Sequence, residues 1–258
     1  MKRYRAVLTG ASGGIGRAIA AALAPHCEEL VLVGRDAPRL AECKDRAGPV
    51  ARVVIADLAT AAGREAVSLP GINLLINNAG AGDFAWLEDQ SDATLERIVT
   101  TNVLAPMQLT RQLLPALLRQ PQAWIVNVGS IMGYLGYPGH AAYCASKFAL
   151  RGFSEALRRE LADGPVRVLH LAPRATRTGM NGDGVRALNA ELGVAMDDPA
   201  LVARELLALL ERPVRERLLG MPEALFARLN QIVPGLVDRA LRRQLFTIRR
   251  HASKGVAS

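Results

Sequence analysis

Short, β-branched apolar runs alternate with helical stretches from one end of this chain to the other. That alternation narrows the possible folds more than any other feature. Runs such as Leu30-Val31-Leu32-Val33 and Leu74-Leu75-Ile76 are apolar on both faces, as parallel strands covered by helices must be. The expected strands are 4–9, 29–34, 50–56, 72–77, 123–129 and 166–172, with a further one at 215–220. Between them lie helical stretches at 14–25, 37–47, 60–68, 92–119, 142–162 and 199–211. Such alternation implies βαβ units and an α/β fold, a single doubly wound domain around a parallel sheet. With 258 residues, half of them hydrophobic, the chain can bury a core of that size. No linker or internal repeat divides it. Residues 1–221 are expected to form the domain and 222–258 a basic, amphipathic extension of it. Residues 174–198, with four glycines among polar residues, read as a mobile segment beyond a strand end.

Charge and cysteine content exclude several functions. The formal net charge is +8, with six basic and no acidic residues from Arg239 to Lys254. No nucleic-acid-binding motif accompanies it and aromatics are only 4%, so no nucleic acid is expected as a partner. Cys27, Cys43 and Cys144 are odd in number and lack metal-ligand spacing. Reduced thiols, no metal and a cytoplasmic location are the expectation. The opening Met1-Lys2-Arg3-Tyr4-Arg5 leads straight into a strand, without a targeting pattern. No run approaches the about 18–20 apolar residues of a membrane span.

Thr9-Gly10-Ala11-Ser12-Gly13-Gly14-Ile15-Gly16 follows the first strand and opens a helix. Gly10, Gly14 and Gly16 leave no Cβ where backbone must approach a pyrophosphate, and a helix N-terminus offers unpaired N–H groups to the anion. In this context the loop predicts a dinucleotide site. The second strand ends Val33-Gly34-Arg35, where NAD-selective sites usually carry a carboxylate. Arg35, with Arg17 as a possible second cation, is suited to a 2′-phosphate, so NADP(H) is expected over NAD(H). Two solvated arginines would be the plainer reading. Asp57 is placed to accept from an adenine amino group, to N-cap the helix that follows, or both. Asn77-Asn78-Ala79-Gly80 ends the fourth strand, at the carboxyl edge where ligands sit in such sheets.

Tyr143-Cys144-Ala145-Ser146-Lys147 puts a phenol and an ammonium on one helix face, about one turn apart. A free tyrosine ionises near about 10, and a neighbouring cation favours the phenolate. The pair is a candidate proton donor and acceptor, although the spacing alone arises by chance on many amphipathic helices.

With the glycine loop, Asn77-Asn78-Ala79-Gly80 and Tyr143-x-x-x-Lys147 in this order, residues 4–178 closely resemble the short-chain dehydrogenase/reductase superfamily. The resemblance implies a Rossmann-like sheet of seven parallel strands and a hydride-transferring enzyme. It adds Ser130, thirteen residues before Tyr143, and Asn102 within Thr101-Asn102-Val103. In the family's terms, Tyr143 is the general acid and base. Lys147 lowers its pKa and bonds the nicotinamide ribose, Ser130 bonds the substrate oxygen, and Asn102 holds a water in a proton relay. Gly10, Ser12, Gly13, Gly14, Ile15, Gly16, Arg35, Asp57, Leu58, Asn78, Ala79, Gly80, Tyr143, Lys147, Pro173, Thr176 and Thr178 are the cofactor-contact positions it implies. After the sixth strand the family usually has Pro-Gly; here Pro173 is followed by Arg174, which is expected to turn to solvent rather than into the pocket.

Ile131–Tyr137, Phe84, Trp86 and the segment after Thr178 suggest a mostly apolar pocket wall, hence a hydrophobic ketone, aldehyde or 3-oxoacyl substrate; core packing could explain the same residues. His140 and His170 read as structural. From Pro222 onward, Leu225, Leu229, Ile232, Val233, Leu236, Val237, Ala240 and Leu241 form a helical stripe, interrupted at Pro234-Gly235. The extension is expected to pack over its own active site or a subunit partner. Peripheral membrane contact by 222–258 is the less favoured alternative. The family's habit implies a homodimer or homotetramer. A non-catalytic NADP(H)-binding sensor or scaffold, and a dehydratase or epimerase on the same fold, are the rival functions.

Overall fold

The computed structural model describes residues 4–252. Seven strands form one parallel sheet in the order β3-β2-β1-β4-β5-β6-β7. They are β1 Tyr4–Thr9, β2 Cys27–Gly34, β3 Ala51–Ile55, β4 Leu74–Asn77, β5 Ala123–Val128, β6 Val166–Ala172 and β7 Glu216–Leu218. The chain builds outward from β1 to β3, then returns to lay β4 against the other side of β1. That reversal opens a crevice at the carboxyl ends of β1 and β4, the place where open α/β sheets take ligands. The doubly wound α/β fold anticipated from the apolar runs is therefore present.

Alternating strand residues feed two cores. Leu8, Leu30, Leu32, Leu74 and Ile76 face one side, where they pack with Ile19, Leu23 and Leu40 and with Val202, Leu206 and Leu209. Those partners come from α1 (Gly14–Leu23), α2 (Ala37–Ala47) and α8 (Pro199–Glu211). Val7, Val31, Val33, Leu75 and Ile125 face the other side, against Leu109, Leu113, Leu117 and Leu157. These belong to α5 (Ala105–Leu118) and α6 (Ala141–Glu160). The period of two along each strand sorts neighbours to opposite faces. Truncating one of these fully buried leucines to Ala costs about 2–5 kcal/mol.

Three expectations are corrected. The helix at 60–68 shrinks to α3, Ala61–Glu65, capped by Thr60, whose Oγ1 accepts from Gly63 N at 3.0 Å. Asp57 is thus not the N-cap; its Oδ1 accepts from Ala59 N at 3.0 Å in the turn before. The helix at 92–119 is three pieces: α4 Asp92–Val99, a π turn Thr100–Leu104, and α5. Pro106 has no N–H and so denies Asn102 the donor an α-helix would give its carbonyl. Residues 174–198, read from sequence as a mobile segment, hold α7, Asp183–Glu191, and a parallel bridge between Thr176 and Asp197. Glycine content hid α7 because Gly182 is its N-cap residue and only Gly184 lies inside it.

The extension beyond Met221 forms α9, Glu223–Ile232, and α10, Pro234–Ala252. The break falls at Val233, before Pro234, so the single stripe read from sequence becomes two faces. Val237, Ile248 and Ala252 of α10 are buried. Its C-terminal turn packs against α7: Arg250 and His251 both pair with Glu191. Arg249 lies over the Trp86 ring at 4.5 Å.

Candidate active site

The crevice begins as a glycine cradle. Gly10 has φ +63°, and a Cβ there would lie 2.7 Å from Ala79 Cα. A Cβ on Gly16 would lie 2.2 Å from Gly10 O, and one on Gly14 2.9 Å from Thr178 Cγ2. Side chains are thus excluded on steric grounds where the loop after β1 meets the loops after β4 and β6. Asn78 welds two of those loops, its Nδ2 donating to Thr9 O at 3.0 Å and Gly10 O at 3.2 Å. Thr9 Oγ1 accepts from Asn78 N at 2.9 Å and Ala79 N at 3.0 Å. The α1 N-terminus has Gly13 at its cap position and no side-chain cap, so its first N–H groups face the crevice side unmasked. Ser12, Gly13 and Ile15 complete this turn. The cradle suits a dinucleotide pyrophosphate.

The adenosine end of such a ligand would meet β2. A Cβ on Gly34 would lie 3.1 Å from Ser12 Oγ. Asp36 Oδ1 is engaged as the α2 cap, accepting from Arg39 N at 3.0 Å. Arg35 is 72% exposed and lies 3.9 Å from Asp57 Oδ2. Leu58 follows, its carbonyl accepting from Arg64 Nη1 at 2.8 Å. Arg17 is paired with Glu42 at 3.4 Å.

Past the switch point, α6 carries Tyr143 and Lys147 on one face. Lys147 is buried, and its Nζ donates to Val128 O at 3.2 Å. The same Nζ stands 3.7 Å from where a Gly80 Cβ would be and 5.7 Å from the Tyr143 ring centroid. Ser130, just after β5, hydrogen-bonds the Tyr143 hydroxyl and accepts from Met132 N at 3.1 Å. Asn102 Oδ1 accepts from Ala81 N at 2.7 Å, while its Nδ2 donates to Ala81 O at 2.8 Å and Ser146 Oγ at 2.9 Å. Asn102 thereby clamps the loop after β4 to α6. Its side chain is fully engaged in these protein contacts.

Burial sets the protonation states. It drives the Tyr143 phenol up to about 12, against the opposing hydrogen bond from Ser130. It also lowers the Lys147 ammonium to about 8. Lys147 is not among the groups that set the phenol: desolvation outweighs the Ser130 hydrogen bond, and the phenol holds its proton at neutral pH.

Not every expected contact gathers here. Thr178 reaches the glycine loop and Pro173 O accepts from Ile131 N at 2.9 Å beside Ser130. Thr176 is buried in its bridge with Asp197, and its hydroxyl donates to Arg174 O at 3.0 Å. Arg174 does not turn to solvent. Nη2 donates to Asp197 at 2.8 Å, and Nη1 to Glu223 at 3.1 Å. Phe84 stacks on His140 at 4.8 Å, and a Cβ on Gly184 of α7 would lie 3.4 Å from Phe84, so α7 closes over this wall. His140 Nδ1 lies 2.9 Å from Asp83 O.

A polar chain beneath the site escaped the sequence reading. Asn77 Nδ2 donates to Thr110 at 3.1 Å and to Asn127 at 2.8 Å. Asn127 donates to Ser154 at 2.8 Å, and Ser154 Oγ lies 3.2 Å from His170 Nδ1. The one available signal was asparagine inside an otherwise apolar strand.

A Rossmann-like parallel sheet with a glycine cradle and a Ser-Tyr-Lys group at its carboxyl edge defines a nicotinamide-dependent oxidoreductase architecture. The family model for short chain dehydrogenases matches residues 4–188, and the chain belongs to the short-chain dehydrogenase/reductase family. It is 33% identical over 258 residues to "Dehydrogenase/reductase SDR family member 7B" of Bos taurus, covering 91% of this chain and 79% of that protein. It is 34% identical to "Uncharacterized oxidoreductase DltE" of Bacillus subtilis, over 70% of this chain and 75% of that protein. Among solved structures, a short chain dehydrogenase/reductase from Burkholderia phymatum in complex with NAD superposes with TM-score 0.81 at 26% identity, over 90% of this chain and 94% of that one. A short-chain dehydrogenase from Sphingobium yanoikuyae in complex with NADPH gives 0.76 at 27%, over 90% and 94%. The chain is thus an oxidoreductase of a family whose members bind NAD or NADP, and its sheet, helices and helical C-terminal region match that fold.

Proposed function

We propose that the protein is an NADP(H)-dependent carbonyl reductase or alcohol dehydrogenase in which Tyr143 transfers the proton. The observation that carries this reading is the Tyr143 hydroxyl, hydrogen-bonded to Ser130, with buried Lys147 one turn along the same helix face. When bound, the nicotinamide supplies or receives the hydride. The glycine cradle and the α1 N-terminus hold the pyrophosphate, with Asn78, Ala79 and Gly80 against the adenosine and Thr178 at the nicotinamide side.

In the reductive direction the substrate oxygen gains negative charge as its carbon gains hydride. Tyr143, protonated at neutral pH, donates its proton to that oxygen, and Ser130 donates a hydrogen bond to it. Lys147 carries positive charge beside the new phenolate and stabilises it. Asn102 keeps the loop after β4 in place. In the oxidative direction the same phenolate is the base.

Arg35 at the end of β2, with no carboxylate free at that position, supports NADP(H) over NAD(H). Phe84, Trp86, Met132 and Tyr137 favour a hydrophobic ketone, aldehyde or 3-oxoacyl substrate. The test is Tyr143→Phe. It should keep NADPH binding by fluorescence titration and lose turnover by about a thousandfold or more across a panel of aromatic ketones, aldehydes and acyl thioesters. Substantial residual NADPH oxidation would refute the role of Tyr143.

A further inference from the structure

The hairpin of α9 and α10 leaves its outer face without a partner among the described residues. On α9, Leu225 (57% exposed), Phe226 (43%) and Ile232 (79%) lie within one helical face, and Val233 (42%) follows at the break. Leu236 (50%) and Phe246 (79%) continue the band along α10. Exposed single hydrophobics are ordinary, but six along two adjoining helices mark a contact surface.

What surrounds the band tells what it meets. Arg228, Arg239, Arg242 and Arg243 are exposed and make no ion pair among the described residues. Arg239 and Arg243 fall on the same α10 face as Leu236 and Phe246, at offsets of three, seven and ten residues. Asp238 is the sole acidic residue from Ala224 to Ala252. A two-fold contact with a second copy would set this arginine-rich patch against itself, since such interfaces pair a surface with its own image. A partner both apolar and negatively charged, extended enough for two helices, is an anionic lipid surface. No described helix is long and apolar enough to cross a membrane. The buried inner face of α10 keeps the hairpin docked on the domain, which leaves only the outer face to engage.

We propose that the outer face of α9 and α10 is a peripheral membrane-binding surface. The hairpin lies in the plane of an anionic bilayer, with Phe226, Ile232, Leu236 and Phe246 among the acyl chains and the arginines at the headgroups. The experiment is co-sedimentation of the full chain with vesicles of phosphatidylcholine plus phosphatidylserine, against vesicles of phosphatidylcholine alone, at near-physiological salt. The wild type should partition to the mixed vesicles about tenfold or more tightly than to phosphatidylcholine. Phe246→Asp with Ile232→Asp, and separately Arg239→Glu with Arg243→Glu, should each reduce that partitioning by about tenfold. Both variants should keep wild-type thermal melting and NADPH binding, since these residues are exposed and outside the cradle. Failure to sediment with anionic vesicles, or sedimentation indifferent to both variants, would overturn the proposal. Dimerisation in lipid-free ultracentrifugation that is lost in Phe246→Asp would assign the face to a second copy instead.

Discussion

Arg174 and Asp197, 23 residues apart in sequence, meet at 2.8 Å with side chains 16% and 6% exposed. The same guanidinium reaches Glu223 at the head of α9. One residue thereby ties the end of β6 to the strap before α8 and to the C-terminal hairpin. Its stem fills the space beside Gly220, where a Cβ would meet Arg174 Cδ at 2.2 Å.

Removing one partner of a buried pair strands the other. Arg174→Met should therefore destabilise the protein by about 2–4 kcal/mol, read as a fall in urea midpoint. Arg174→Met with Asp197→Asn should recover most of that loss. A double variant as unstable as the single one would show that Asp197 is not the group being left unpaired.

Asn102 makes three hydrogen bonds with Ala81 and Ser146. Asn102→Ala should cost about 2–3 kcal/mol and raise KM for the dinucleotide, because the loop that follows Gly80 loses its clamp. Asn102→Asp keeps the acceptor for Ala81 N and loses both donors, so it should fall between the two. Unchanged KM in Asn102→Ala would remove the clamp from the account of binding.

On the proposed reading, cofactor preference turns on Arg35. Arg35→Ser should lower kcat/KM for NADPH by about ten- to a hundredfold while leaving NADH within about twofold. Steady-state kinetics with both cofactors decides it; equal losses would leave selectivity without its cation.

His170 is buried, and burial first, then the nearby Lys147 charge, lowers its pKa to about 3. Its folded value lies below the unfolded one, so between about 6.5 and 3 the unfolded chain binds the extra proton. Stability should drain as pH falls through that window, by up to about 1.4 kcal/mol per pH unit from this group. His170→Gln should flatten that acid limb in urea titrations run from pH 7 to pH 4. Parallel limbs in the two proteins would disprove the assignment.

The strands and the cradle were legible because their signals are local. Leu30–Val33 is apolar on both faces wherever it is read, and Gly10, Gly14 and Gly16 lie within one turn of chain. Tyr143 and Lys147 were legible for the same reason. Interactions between distant residues were not. Nothing near Arg174 reveals partners 23 and 49 residues downstream, so solvent was the natural expectation for it. The break in 92–119 was hidden because apolar spacing runs through Ile98, Val103 and Leu104, and only Pro106 hinted at it. The phenol's upward shift depends on desolvation by the surrounding fold, which no spacing rule conveys.

The π turn at Thr100–Leu104 also governs what can be altered around it. A bond to the fifth residue, as from Ala105 N to Thr100 O, accommodates one surplus residue and resets the rotational phase of α5 against α4. Excising a single residue there would wind the two pieces into one straight rod and swing either Asn102 or the Leu109–Leu113–Leu117 seam out of alignment. Grafts from relatives should therefore join upstream of Thr100 or beyond Ala105, never within that turn.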